Sequence, residues 1–222
     1  MVWGAGTVTG VQLAGVRALG GFFDLPRADG NGWAPLAALL ADQERLRAEV
    51  DGVQQVLAAR AGVDLAGVAA RATASVVHLG LVARLVAPAL ASLVLTGSVP
   101  DLSVPVLRWR RSPGEGLALG LASDRLGRRG IGHVATSLSP AFAALSVSPL
   151  ILRGNAASAL VGAAAALVRT DAALEAPARA ALDEALAPLA GALAPDRSRL
   201  SCCLALRLPG GLRCGDCVLP PR

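Results

Sequence analysis

The chain has 222 residues and a formal net charge of +5, with 54% hydrophobic but only 3% aromatic residues. That length can bury one large domain, or a domain with a small appendage, and the core has to be built from Ala, Leu and Val rather than from rings. All 21 basic residues are arginine; they are scattered and few aromatics accompany them, so even a pI near 10.1 does not read as a nucleic-acid surface, and no nucleic-acid partner is expected.

Met1 to Gly21 is Gly-rich, with one arginine at position 17 and no basic segment ahead of an apolar run. It is not expected to act as a secretory signal. From Trp33 to Ala61, apolar residues including Leu36, Leu39, Leu46, Val50 and Val53 recur at three- and four-residue steps between charged ones. This predicts a helix, or two helices broken near Asp51-Gly52. Leu65 to Leu95 continues as helical material, divided near Pro88, and Gly97 to Pro100 ends it.

The mean hydropathy of +0.55 raises the question of a membrane. The longest stretches without an acidic or basic residue are Leu85–Pro100 and Ile131–Leu152. The first is short and holds Pro88; the second carries His133, Pro140, Pro149 and several serines, whose polar groups are costly in lipid. Neither is expected to span. A cytoplasmic protein is expected, with peripheral contact at the inner face of the membrane left open.

Val104 to Arg110 and Leu117 to Leu121 flank Ser112-Pro113-Gly114-Glu115-Gly116 and predict two short strands around a turn. Trp109, between Arg108 and Arg110, is expected to pack, with contact to a ligand as the alternative use. Asn155–Thr170 and Leu174–Leu193 predict two more helices, with Pro177 in the first turn of the second and Asn155 as the cap of the first. His78, in an apolar run, and His133, beside Gly132, are read as structural histidines. Residues 195–201 read as a linker. The fold class is therefore mainly α, in the α+β sense: a helical body over residues 1–195 with a small antiparallel β element, then a cysteine-rich segment over 196–222.

All four cysteines lie in that last segment, as Cys202-Cys203, ten residues, Cys214, two residues, Cys217. They surround Pro209-Gly210-Gly211, which suggests one site assembled by a tight turn. Four soft thiolates suit tetrahedral zinc or an iron–sulfur cluster. A vicinal pair bends poorly around one ion, which favours the two-iron [2Fe–2S] unit, with zinc and a disulfide as the alternatives. Chemistry of other kinds lacks its residues: there is no nucleophile with an attached base, no phosphate-binding Gly-rich loop and no dinucleotide fingerprint.

Ser201-Cys202-Cys203-Leu204, Arg207-Leu208-Pro209-Gly210-Gly211 and Cys214-Gly215-Asp216-Cys217 resemble the terminal motif of the FhuF-like ferric-siderophore reductases. Leu152-Arg153-Gly154-Asn155-Ala156-Ala157-Ser158-Ala159-Leu160 is similar to a segment upstream of the cluster in that family. The resemblance covers roughly the C-terminal third. It implies a [2Fe–2S] cluster held by Cys202, Cys203, Cys214 and Cys217, and one-electron reduction of a ferric siderophore by a cytoplasmic protein. The body, residues 1–195, would face the siderophore, with Arg153, Asn155, Trp109 and Arg207 as candidate contacts. Electrons would come from an external donor: a ferredoxin, a flavodoxin or a separate reductase. The alternative class is a structural zinc clip, or a cluster-based sensor or interaction protein.

An oxidised all-thiolate [2Fe–2S] unit carries two net negative charges and gains a third on reduction. Arg197, Arg199, Arg207, Arg213 and Arg222 outnumber Asp196 and Asp216 around the cysteines. They are expected to raise the reduction potential and to help dock an anionic partner, or else merely to solvate a surface loop. Gly210, Gly211 and Gly215 fit both a tight loop and close backbone approach to sulfur. A loop ending five residues before Arg222 is expected at the periphery of the fold, partly exposed.

Overall fold

In a computed structural model of the chain, residues 10–112, 116–123, 125–127, 130–211 and 213–219 are described. The body is helical: α1 (Gly10–Arg17), α2 (Leu36–Ala41), α3 (Gln43–Ala61), α4 (Ala70–Thr96), α5 (Ile131–Thr136), α6 (Ser139–Ala143), α7 (Pro149–Thr170) and α8 (Glu175–Leu186). A three-stranded antiparallel sheet of β1 (Ala34–Pro35), β2 (Leu107–Ser112) and β3 (Gly116–Leu121) lies in the order β1-β2-β3. The expected mainly α fold with a small antiparallel element is what the chain forms. The turn expected over residues 113–115 lies outside the described residues.

The centre of the fold is α4 packed along α7. Their contact is made of small side chains: Ala72, Ala74 and Ser75 on α4, and Ala156, Ala157, Ala163 and Ala164 on α7, are all buried. Small residues let two backbones approach closely, so a core poor in rings still reaches native packing density. Both helices are long and apolar enough, by length and composition, to cross a membrane; here they line the core.

Several boundaries differ from expectation. The break in the first helical stretch falls at Asp42, whose carboxylate caps α3 by accepting from the Arg45 N–H (2.9 Å); Gly52 sits inside α3. A side-chain cap satisfies an orphan donor, whereas an interior glycine only costs propensity. Helix α4 runs through Pro88 without dividing. Proline removes one helical hydrogen bond, at about 3 kcal/mol, but Leu85, Val86, Ala87, Ala89, Leu90 and Ala91 around it are essentially fully buried, and burial of each large apolar side chain is worth about 1.5–3 kcal/mol. Gly97 does end the helix, at φ 70° with its N–H on the Leu93 carbonyl. Helices α1, α5 and α6 fall where no element was expected, and strand β1 takes the start of the stretch from Trp33 that was expected to be helical.

Register in the sheet sets Trp109 opposite Leu119 and Ala34. The outer edge of β3 is covered by residues 26–28, through Leu121 N–H to Pro26 O (2.9 Å) and Ala28 N–H to Leu121 O (3.0 Å). A side chain at Gly120 would strike Ala28 and the Trp33 ring, each 2.8 Å from where its Cβ would stand, so close approach of this cover requires glycine there. Glu49 of α3, buried, receives a bidentate ion pair from Arg111 of β2 (2.7 and 3.1 Å) and ties sheet to helix.

Helix α7 begins earlier than expected. Ser148 is its cap, Oγ accepting from the Ile151 N–H (3.4 Å), and Pro149 takes the first position, where its missing N–H costs nothing. Asn155 is therefore not a cap; it lies inside the helix with its side chain fully buried. Pro177 sits in the first turn of α8 as expected.

Candidate metal centre

The segment expected to be a linker is held firmly to the body. Ala194 N–H donates to Ser198 O (2.9 Å), Leu200 N–H to Ala192 O (3.3 Å) and Arg199 N–H to Asp216 O (3.0 Å). The last of these closes the cysteine loop on itself. Ser75 of α4 donates from Oγ to the Cys203 carbonyl (2.8 Å), and Ser201 donates to the Leu150 carbonyl at the start of α7 (3.0 Å). The cysteines thus sit against the adjoining flanks of α4 and α7.

Leu204 adopts φ 68° and a 3₁₀ turn follows at Ala205–Arg207. The chain then reverses at Leu208–Gly211, with the Gly211 N–H on the Leu208 carbonyl (2.9 Å) and both Gly210 and Gly211 at positive φ. Positive φ at two successive positions is the conformation glycine adopts without a Cβ clash. The reversal returns Cys214 to Cys203.

Their sulfurs are 3.6 Å apart. That is too long for a disulfide, whose bond is about 2.0 Å, and close to the edge of a thiolate tetrahedron, about 3.8 Å for metal–sulfur bonds of about 2.3 Å. Cys203 is buried, whereas Cys202, Cys214 and Cys217 are partly exposed. Among the described residues no group of three or more His, Cys, Asp or Glu stands ready to hold a metal ion. One pair has chelating separation and the other two cysteines flank it in the chain. The Leu204 N–H points to Cys202 Sγ (3.3 Å), the kind of backbone donor that stabilises a thiolate.

Burial, reinforced by the Cys203 thiol and by Asp216, pushes the Cys214 thiol up to about 12, with Arg199 opposing. Metal coordination, which takes the thiolate, works against such a shift.

Arg199, expected either to raise the potential and help dock an anionic partner or merely to solvate the loop, is 1% exposed. Its Nε donates to the Ser201 carbonyl (3.1 Å) and one terminal nitrogen to Asn155 Oδ1. Asn155 Nδ2 in turn donates to the Ser75 carbonyl (2.9 Å) and lies 3.4 Å from His78 Nδ1. His78 Nε2 lies 3.4 Å from Ser139 Oγ. Desolvation, then the Arg199 charge, lowers the His78 pKa to about 4, so the ring is neutral at physiological pH and serves as structure, as expected. Gly154 leaves the room for this: a Cβ there would collide with Ser201 Oγ and crowd the Arg199 guanidinium.

Of the candidate contacts, Asn155 and Trp109 face no ligand. Asn155 is consumed by the Arg199–Ser75 network, and Trp109, 4% exposed, packs in the core under Arg45 (5.2 Å). Arg153 and Arg207 are exposed, Arg153 reaching the Ala190 carbonyl (3.0 Å). Arg197 pairs with Asp183 (2.8 Å), and Arg222 lies outside the described residues. Leu150, Leu200, Val218 and Leu219, all on segments that carry or touch the cysteine loop, are exposed. Sequence reasoning missed Ser75 and the burial of Arg199; the signal was Gly154-Asn155, a pair whose small size and amide both serve the guanidinium. No protein-family profile and no curated protein sequence matches the chain.

Proposed function

We propose that the protein is a ferric-siderophore reductase of the FhuF-like kind, with Cys202, Cys203, Cys214 and Cys217 holding a [2Fe–2S] cluster. The observation that supports this reading is the Cys203–Cys214 pair, two sulfurs at chelating distance, with Cys202 and Cys217 flanking it in the chain. When bound, the cluster supplies a one-electron couple that reduces siderophore-bound Fe(III) to Fe(II), a poorer fit for hard anionic oxygen ligands. The chain itself supplies docking. Arg153 and Arg207 offer positive charge to an anionic ferric complex, and the exposed leucines and Val218 offer apolar surface to the complex or to the electron donor. That donor is a ferredoxin, flavodoxin or separate reductase, and the setting is the cytoplasm, at or near the inner face of the membrane.

Anaerobic purification, visible absorption and iron and sulfide analysis test the centre. Titration of the dithionite-reduced protein with ferric hydroxamate and ferric catecholate complexes tests the reaction. A red-brown protein with two irons that reoxidises as ferrous iron appears is expected. A colourless zinc protein, or a reduced cluster inert to both complexes, sinks the reading.

A further inference from the structure

Arg199 is a buried positive charge that, among the described residues, meets no anion at ion-pairing distance. A guanidinium does not deprotonate in proteins, so the charge stays, and an unpaired buried charge is costly. Its hydrogen-bond acceptors are neutral: the Asn155 amide and the Ser201 carbonyl. Nη1 is buried; among the described residues it has no partner and no carboxylate lies within ion-pairing distance of the guanidinium. Asp216, whose carbonyl accepts from the Arg199 N–H, keeps its Oδ2 buried and also without a partner. The chain has nevertheless made this place with care, through Gly154 and through Asn155, whose amide nitrogen is fixed by Ser75.

The missing anion is in the same loop. Arg199 stands three residues before Cys202, and its backbone N–H is bonded to the carbonyl of Asp216, the residue before Cys217. Four thiolates around a two-iron, two-sulfide core carry two net negative charges, three once reduced.

Resting on the reductase reading, we propose that Arg199 is the buried counter-charge of the metal–thiolate centre, a positioning residue that favours its more negative, reduced state. Asn155 and Ser75 hold the guanidinium in place, and Gly154 gives it room.

Two variants separate charge from shape. Arg199→Lys keeps the charge and loses the fork; Arg199→Gln keeps hydrogen-bonding capacity and loses the charge. Potentials of the anaerobic proteins are read by dye-mediated titration followed by electron paramagnetic resonance. Arg199→Gln is expected to shift the oxidised-to-reduced equilibrium at least tenfold toward oxidised, about 59 mV downward for one electron, with most of the shift absent in Arg199→Lys. Equal potentials in all three proteins overturn the proposal. Retention against a chelator gives a second reading. Arg199→Gln should release its metal at least tenfold faster than Arg199→Lys, and equal release, or loss from Lys as fast as from Gln, overturns the idea. Should wild-type protein carry zinc, the reductase reading fails by itself, while chelator competition still decides the role of Arg199, since zinc with four thiolates bears the same two negative charges.

Discussion

Gly154, Asn155 and His78 show how little freedom single positions have around the cysteine loop. Adding a methyl at Gly154 drives it into Ser201 and the guanidinium. Gly154→Ala is expected to cost about 1–3 kcal/mol by overpacking and to lower the iron content of purified protein; thermal melts and iron analysis check both. Asn155→Leu leaves Arg199 without one acceptor, a loss of about 1–3 kcal/mol, visible as a lower urea midpoint. His78 carries a pH dependence. Its folded pKa of about 4 lies below the ordinary 6.5, so between these values the unfolded chain binds more protons and stability rises with pH. The contribution is complete above about 6.5 and is lost as pH falls toward 4, at most about 3 kcal/mol. Urea titrations at pH 7 and 5 should show about 2 kcal/mol of this in wild type and a smaller difference in His78→Gln.

Between elements, three cross-links set the geometry. The Glu49–Arg111 pair joins α3 to β2; since Glu49 is buried and Arg111 largely exposed, breaking it costs more than an ordinary surface pair. Glu49→Ala is expected to lose about 1–2 kcal/mol in a denaturant titration without changing iron content, because the cysteine loop hangs on α4 and α7 through Ser75 and Leu150. The Ser75–Cys203 bond joins α4 to the loop, and Ser201–Leu150 joins the loop to α7. Helix α4 is apolar on every side around Pro88 and so tolerates a residue that would divide an exposed helix.

At the scale of the molecule, the loop is peripheral yet anchored on the central α4–α7 pair. A centre that holds Cys203 to Cys214 therefore supports the loop more than the body. Cys214→Ser is expected to bleach the protein and to open residues 200–219 to protease while the helical body resists. Mass spectrometry of the digest checks this; a digestion pattern unchanged by bleaching would assign the centre a redox role alone.

Periodicity and punctuation placed most of α4, though not its continuity through Pro88, and strands β2 and β3, because apolar spacing and a terminal glycine act locally. Cysteine spacing marked the loop for the same reason: a turn of a few residues decides whether thiols can meet. What the chain does not carry locally is burial. Trp109 packs as its flanking strand pattern led one to expect, whereas Asn155 looks like a surface cap, and only the packing of α7 against α4 buries it. Arg199 was one of five arginines near the cysteines in sequence, with nothing to set it apart from the other four until tertiary structure buried it beside an amide 44 positions earlier. Composition alone determined that the core would be aliphatic and mainly helical; the site's electrostatics were decided by contacts between residues distant in sequence, since a charge matters according to what desolvates it.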